Sequence, residues 1–403
     1  MQVRTAVILR APKSLTQAIQ EAAGGKDGIW PRIGTSTQAF FKRSQEFSWE
    51  FFRGVYEVFN DCAVETAKAV YSSSFHPLRE RFWGIWAVDG SRLDAIAHRL
   101  KILWNERAVV LPGCLTAFYD LFHGVTRELI FDPDAASAEI LRAEGVLKNF
   151  PKDLLLLGDR LYCSVRFFGG LSKNGLWGLF RRNKTIGLTK VRTLRRKRMG
   201  DVLLEETIVE AGSGATTPAQ TLRRIRLKCG RRVVRDLLTN VLDPARLRAE
   251  EALDLYGARW SIERLFYDLK EVLNLHQFYA ANPNAVAMQV YAAAIVHTAM
   301  RIAQGRIAAS TGIRPEEIST EKLFPRVASA SLLLVHAQLG YLATCRANPG
   351  RRLREPNWRR EPFATVPLSA VRSYPRSGKR RKRRFCESRS RWKSMAHISG
   401  SRI

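Results

Sequence analysis

Two short stretches, "FWGIWAVDG" (residues 82–90) and "DLLLLGDR" (residues 153–160), constrain the fold more than any other part of the chain. Both are nearly unbroken apolar runs, too short for a helix, and each reaches an aspartate, Asp89 or Asp159. A run of this kind suits a strand covered on both faces, in the middle of a sheet flanked by helices. An acid at the end of such a strand is costly unless it is paired or binds a cation. Either aspartate alone reads as a turn or cap residue. Placed on neighbouring strands, with a third carboxylate from a helix laid across them, they make an oxygen-only site for divalent ions.

The rest of the chain supports a central sheet. Residues 1–78 read as a mainly helical region. Between the two aspartates, "AVVLPGCLTAFYDLF" and "VTRELIFDP" read as antiparallel strands across a His-Gly turn, and "DAASAEILRAEGVLKNF" as a helix. Residues 79–165 thus run strand, strand, strand, helix, strand. Residues 166–245 turn basic and β-like, with arginines alternating with Val, Ile and Leu, which predicts one buried and one solvated or phosphate-facing side. Helical patterning resumes over 246–345, and 346–403 form a basic tail containing "GKRRKRRF". No internal repeat is found.

The third carboxylate is sought in "YGARWSIERLFYDLK", residues 256–270. On a helix turning about 100° per residue, Arg259, Glu263 and Lys270 fall within about 60° of Tyr256. Leu255, Ile262, Leu265, Phe266 and Leu269 form a separate apolar stripe. Asp268 and Glu271 project away from the polar stripe, so Glu263 is the favoured acid. An i, i+4 ion pair explains Arg259 and Glu263, but not the aligned tyrosine and lysine.

Charge narrows the partner. The chain has 66 Lys+Arg against 37 Asp+Glu, a net charge of +29, which points to nucleic acid. No secretory N-terminus or apolar run near 18 residues is evident, which argues against a membrane partner. Cys62, Cys114, Cys163, Cys229, Cys345 and Cys386 are dispersed with no C-x-x-C pair, and the histidines show no ligand-like pairing. That disfavours zinc or disulfides and favours a reduced compartment, with Mg²⁺ or Mn²⁺ held by carboxylates.

Tyr256, two residues, Arg259, three residues, Glu263, six residues, Lys270 resembles the signature of bacterial DDE transposases of the insertion-sequence-4 type. "VDGSRLD" around Asp89 and "LLLLGDRLYCS" around Asp159 look like the family's two aspartate segments, with Leu161 where the family often has glycine. "LLTNVLDP" (237–244) resembles the segment before the signature helix. The resemblance runs from about residue 80 to 345 and on into the tail. It implies an α/β, RNase H-like core, a mixed sheet flanked by helices, with a β-rich insertion and an N-terminal helical region. It also implies a transposase of an insertion sequence, with Asp89, Asp159 and Glu263 holding two Mg²⁺ (or Mn²⁺) ions. Tyr256, Arg259 and Lys270 would grip DNA phosphates, joined by Arg160 and by Trp260, which reads as either a core or a base-stacking residue. The implied partners are terminal inverted repeats, target DNA and a second copy in a synaptic dimer, in a bacterial cytoplasm at the nucleoid. The N-terminal helices read equally as DNA-end binding or as packing. A metal-dependent nuclease without strand transfer and an inactive DNA-binding derivative are the competing readings.

Overall fold

The two aspartate strands are neighbours. In the computed structural model, which describes residues 36–71, 75–93, 113–212, 218–275, 282–328 and a few isolated positions, nine strands form one sheet. The strands are β1 (Gly84–Arg92), β2 (Cys114–Asp120), β3 (Val125–Asp132), β4 (Leu154–Gly158), β5 (Trp177–Arg181), β6 (Leu188–Met199), β7 (Val202–Ala211), β8 (Gln220–Cys229) and β9 (Arg232–Thr239). Their order is β3-β2-β1-β4-β5-β9-β8-β7-β6. β1, β4 and β5 run parallel, whereas β2, β3 and the four strands after β5 are added antiparallel.

Side-chain alternation gives the central strands two apolar faces. Ile85 and Ala87 of β1 with Leu155 and Leu157 of β4 face one core. Trp86 and Val88 with Leu154 and Leu156 face the other. The second face is covered by α3 (Glu139–Val146) and α4 (Val165–Lys173). The first is covered by α2 (Trp49–Val70), α5 (Ala249–Ala258), α6 (Trp260–Tyr267) and α7 (Pro283–Thr311), while α1 (Thr37–Glu46) lies ahead of α2.

The structure revises several boundaries. β1 does not stop at Asp89: its buried part ends at Val88, but Asp89 to Arg92 continue paired with β2. Residues 165–181 are not insertion strands. They form α4 and β5, and β5 pairs in parallel with β4, so the added strands begin at Leu188. These form two hairpins, turning at Gly200 and Gly230, whose φ of +57° and +56° suits glycine. The expected solvated side of the arginine-rich strands has an exception in Arg223, which is fully buried. The N-terminal α2 packs on α7 and β3 through Phe52, Tyr56 and Val64, which joins it to the core. The tail 346–403 and the first predicted helix lie outside the described residues, apart from isolated positions in the latter.

α7 is long and apolar enough to cross a membrane, a run the sequence reading did not expect, but 83% of its apolar window is buried inside the protein. Its polar residues are built into the core. His297 Nε2 lies 3.5 Å from Asp268 Oδ2, and the Asp268 Oδ1 accepts from Thr320 Oγ1 at 2.6 Å and Arg264 Nε at 3.1 Å. Burial, with Arg301 and Arg264 nearby, lowers the His297 pKa despite the opposing pull of Asp268. Asp268 is also lowered, since its bonds to His297 and Thr320 outweigh its burial. Both groups therefore bind more protons in the unfolded chain, and stability is lost on acidification. The expected result is a falling unfolding midpoint as pH drops through about 6.5, the ordinary histidine range. Thermal unfolding of wild type and His297→Gln at pH 7.5 and 5.5 measures it. The variant should show the smaller drop, and an equal drop would remove His297 as the cause.

Candidate active site

The parallel register of β1 and β4 pairs Gly84 with Leu154 and Ala87 with Leu157. Carried two residues further, the same offset sets Asp89 beside Asp159, just past the end of β4. Asp89 shares a face with Ile85 and Ala87 and so projects towards α6, which packs on β1 and β2. That helix carries Glu263. Arg259, at the junction of α5 and α6, joins the acids: it meets Glu263 Oε1 at 2.5 Å and Asp89 Oδ2 at 3.5 Å. The side chain of Arg259 is 8% exposed, and its Glu263 and Asp89 contacts raise its pKa against the opposing effect of burial.

The helix read as continuous from 256 to 270 has two irregularities. At Arg259 the backbone stays right-handed (φ −49°, ψ −29°), and the Ile262 N–H bonds the Arg259 carbonyl three residues back. This tightens the turn but keeps Tyr256, Arg259 and Glu263 on one side. Asp268–Val272 then widen into a π-turn, so Lys270 departs from the predicted angle. Its Nζ donates to the Arg92 carbonyl at the end of β1, at 2.6 Å. The apolar stripe is buried as read, and Asp268 is buried in its own network away from Asp89.

Tyr256 is buried, with Arg259 5.8 Å and Arg235 5.9 Å from its ring centre. Burial raises its pKa, while Arg259, Arg181 and Arg235 oppose the rise. Arg181 and Arg235 are thus two further cations at the site, and the sequence reading did not single them out. Trp260 is 63% exposed and so is not a core residue. It lines a cavity of about 270 Å³ with Ser261, Arg264 and Thr320. Arg160 is exposed beside Asp159, whose Oδ1 accepts the Leu161 N–H at 2.7 Å. That short local turn forms without the expected glycine.

Sequence reasoning also missed Glu139, the first residue of α3. It approaches Asp89 from the opposite face of the sheet, over Gly90, where a Cβ would lie 2.2 Å from its carboxyl carbon. Tyr162 donates to Glu139 Oε1 at 2.5 Å. Burial, together with the negative charge of Glu139, pushes Asp89 up to about 7 against the pull of Arg259. Burial likewise raises Glu139, with Asp159 adding to the rise. No sequence pattern distinguishes Glu139 from Glu144 on the same helix. The available clue was Gly90, read as a turn residue although it lies within a strand.

Comparison with known proteins points to the same family as the motifs. Residues 113–299 match the family described as "Transposase DDE domain", a span that includes Asp159 and Glu263 and begins after Asp89. The chain is also similar to "Putative transposase y4zB" of Sinorhizobium fredii (strain NBRC 101917 / NGR234), 27% identical over 193 residues. That alignment covers 45% of this chain and 53% of the relative, about half its length. The strand order β3-β2-β1-β4-β5, a mixed sheet flanked by helices, is that of an RNase H-like core, and within it residues 113–299 are similar to the DDE transposase domain.

Proposed function

We propose that the protein is an insertion-sequence transposase of the type-4 group, which binds terminal inverted repeats and cleaves and joins DNA strands using a divalent cation. The observation that carries this reading is the meeting of Asp89, Asp159 and the Glu263-bearing helix at one end of the parallel strands. The donor set fits the ion: the three acids offer only oxygen ligands, which suits Mg²⁺ or Mn²⁺. Among the described residues no three acids already close on one ion, and Glu263 is bonded to Arg259. Glu263 must therefore leave that guanidinium to join the two aspartates. A divalent cation bound there would polarise the scissile phosphate and lower the pKa of an attacking hydroxyl.

In cleavage, the oxygen of water attacks phosphorus and the P–O3′ bond breaks, leaving a 3′-hydroxyl and a 5′-phosphate. In joining, that 3′-hydroxyl attacks a target phosphodiester and loses its proton to solvent, the new P–O3′ bond forming as the target's own P–O3′ bond breaks and its released 3′-oxygen takes up a proton. This chain's residues orient the groups. Arg259, once freed, Lys270 and Tyr256 hold phosphate oxygens, with Arg160 beside them and Trp260 available for stacking. Residues 79–181 and 246–345 serve as the two parts of the core, and the strands from Leu188 to Thr239 are the insertion. Residues 1–78 meet the transposon end, the tail 346–403 adds non-specific affinity, and two copies hold two ends together.

The test is a donor duplex ending in the element's own inverted repeat, incubated with protein, Mg²⁺ and target plasmid. Gel shift should show binding, and the products should include both a nicked end and a donor–target joint. Nicking without joints would leave the nuclease reading standing, and binding without nicking the inactive one.

A further inference from the structure

Resting on that reading of the site, we propose that Glu139 is its fourth acid, a ligand for the same divalent cation as Asp89 and Asp159. It enters from the other side of the sheet. Asp89 projects towards α6, so its neighbour Gly90 faces α3, where the absence of a side chain admits the Glu139 carboxylate. The Gly90 N–H donates to Asp89 Oδ1 at 3.0 Å, and the Glu139 carboxylate lies against the same glycine. Two carboxylates meeting at one glycine are close enough to share an ion.

The carboxylate is also oriented without being neutralised. Tyr162 holds Oε1, whereas Oε2 lies against Gly90. Glu139 has no ion pair among the described residues. The nearest guanidinium, Arg142, is bonded to Thr116 Oγ1 at 3.0 Å and the Ser137 carbonyl at 2.7 Å, with Asp132 at 3.7 Å. Glu144, the other acid of α3, meets Arg166 at 2.7 Å instead. A hydrogen bond that orients a carboxylate but leaves an oxygen available is the usual support of a metal ligand. The competing role, an acid stabilising the N-terminus of α3, requires neither the approach to Asp89 nor the space at Gly90.

The experiment is a Mn²⁺ titration of the full chain without DNA, followed by loss of the free-ion electron paramagnetic resonance signal. Glu139→Gln keeps an acceptor for Tyr162 but should weaken Mn²⁺ binding by about tenfold or more. Gly90→Ala removes no acid, yet should weaken binding similarly by displacing Glu139. Tyr162→Phe should have the smaller effect, and thermal unfolding verifies that each variant is folded. Weakening by Asp159→Asn with a folded, unaffected Glu139→Gln would overturn the proposal and reduce Glu139 to a helix-end acid. No Mn²⁺ binding by wild type, or none lost in either variant, would instead overturn the reading of the site itself.

Discussion

Glu263→Gln is expected to lower cleavage of a transposon end by about 10³-fold or more while leaving DNA binding within a few-fold of wild type. The glutamine retains an oxygen that can accept from Arg259, so the α5–α6 junction should keep its shape. What it loses is the negative charge that, in the proposed site, would join Asp89 and Asp159 around a cation. Asp89→Asn and Asp159→Asn should fail in the same way. Their unfolding adds a second readout. Asp89 is half-buried beside Glu139 and Asp159, so removing its charge relieves repulsion, and Asp89→Asn should unfold at or above the wild-type temperature. Single-turnover cleavage, gel shift and thermal unfolding on the same preparations measure all three. Full cleavage by Glu263→Gln with Mg²⁺ would remove Glu263 from the site.

The largest expected loss of stability lies elsewhere, at Arg223 on β8. Its side chain is 0% exposed and faces Glu206, 2% exposed, with Nε and Oε2 3.4 Å apart and no well-formed hydrogen bond between them. Its other nitrogens donate to the carbonyls of Val241 (3.3 Å) and Leu247 (2.5 Å), tying the added strands to the segment that leads into α5. Burial lowers the Arg223 pKa and raises that of Glu206, so each charge is held against its desolvation. Arg223→Ala takes the nearer guanidinium from the buried glutamate, leaving it Arg195 at 3.6 Å, and leaves both carbonyls short of a donor. A loss of about 3–5 kcal/mol is expected, measured by urea unfolding. Arg223→Met combined with Glu206→Leu should recover much of it, because no unpaired charge remains. If the double variant were no better than Arg223→Ala, the carbonyl bonds rather than the ion pair would account for the loss.

Features that rest on local pattern were legible in the sequence. The apolar runs before Asp89 and Asp159 marked central strands because residues covered on both faces need no polar alternation. The order of three strands, helix and strand followed from turns and spacing. Helical angle alone separated Glu263 from Asp268, and burial of Asp268 in the His297 network agrees. Features that arise from tertiary approach were not legible. Glu139 comes to Asp89 from a different element and the opposite face. Lys270 leaves its stripe at a π-turn that no residue announces. Arg223 looked like one more solvated arginine, since the carbonyls and glutamate that receive it lie in other elements. The β-like texture at 166–245 was read as one block, whereas its first strand, β5, belongs beside β4.

The pairing of β5 with β9 also has a mechanical consequence. The added strands are not a flap hung from the core on two linkers. They continue the same hydrogen-bonded ladder, so bending them away from the aspartates means shearing a sheet rather than turning a hinge. Their outermost strand, β6, carries Arg192, Arg196 and Arg198 on its exposed length. Whatever lies against that strand is therefore held at a distance from Asp89 and Asp159 fixed by the intervening strands, as a carpenter's square holds its far arm.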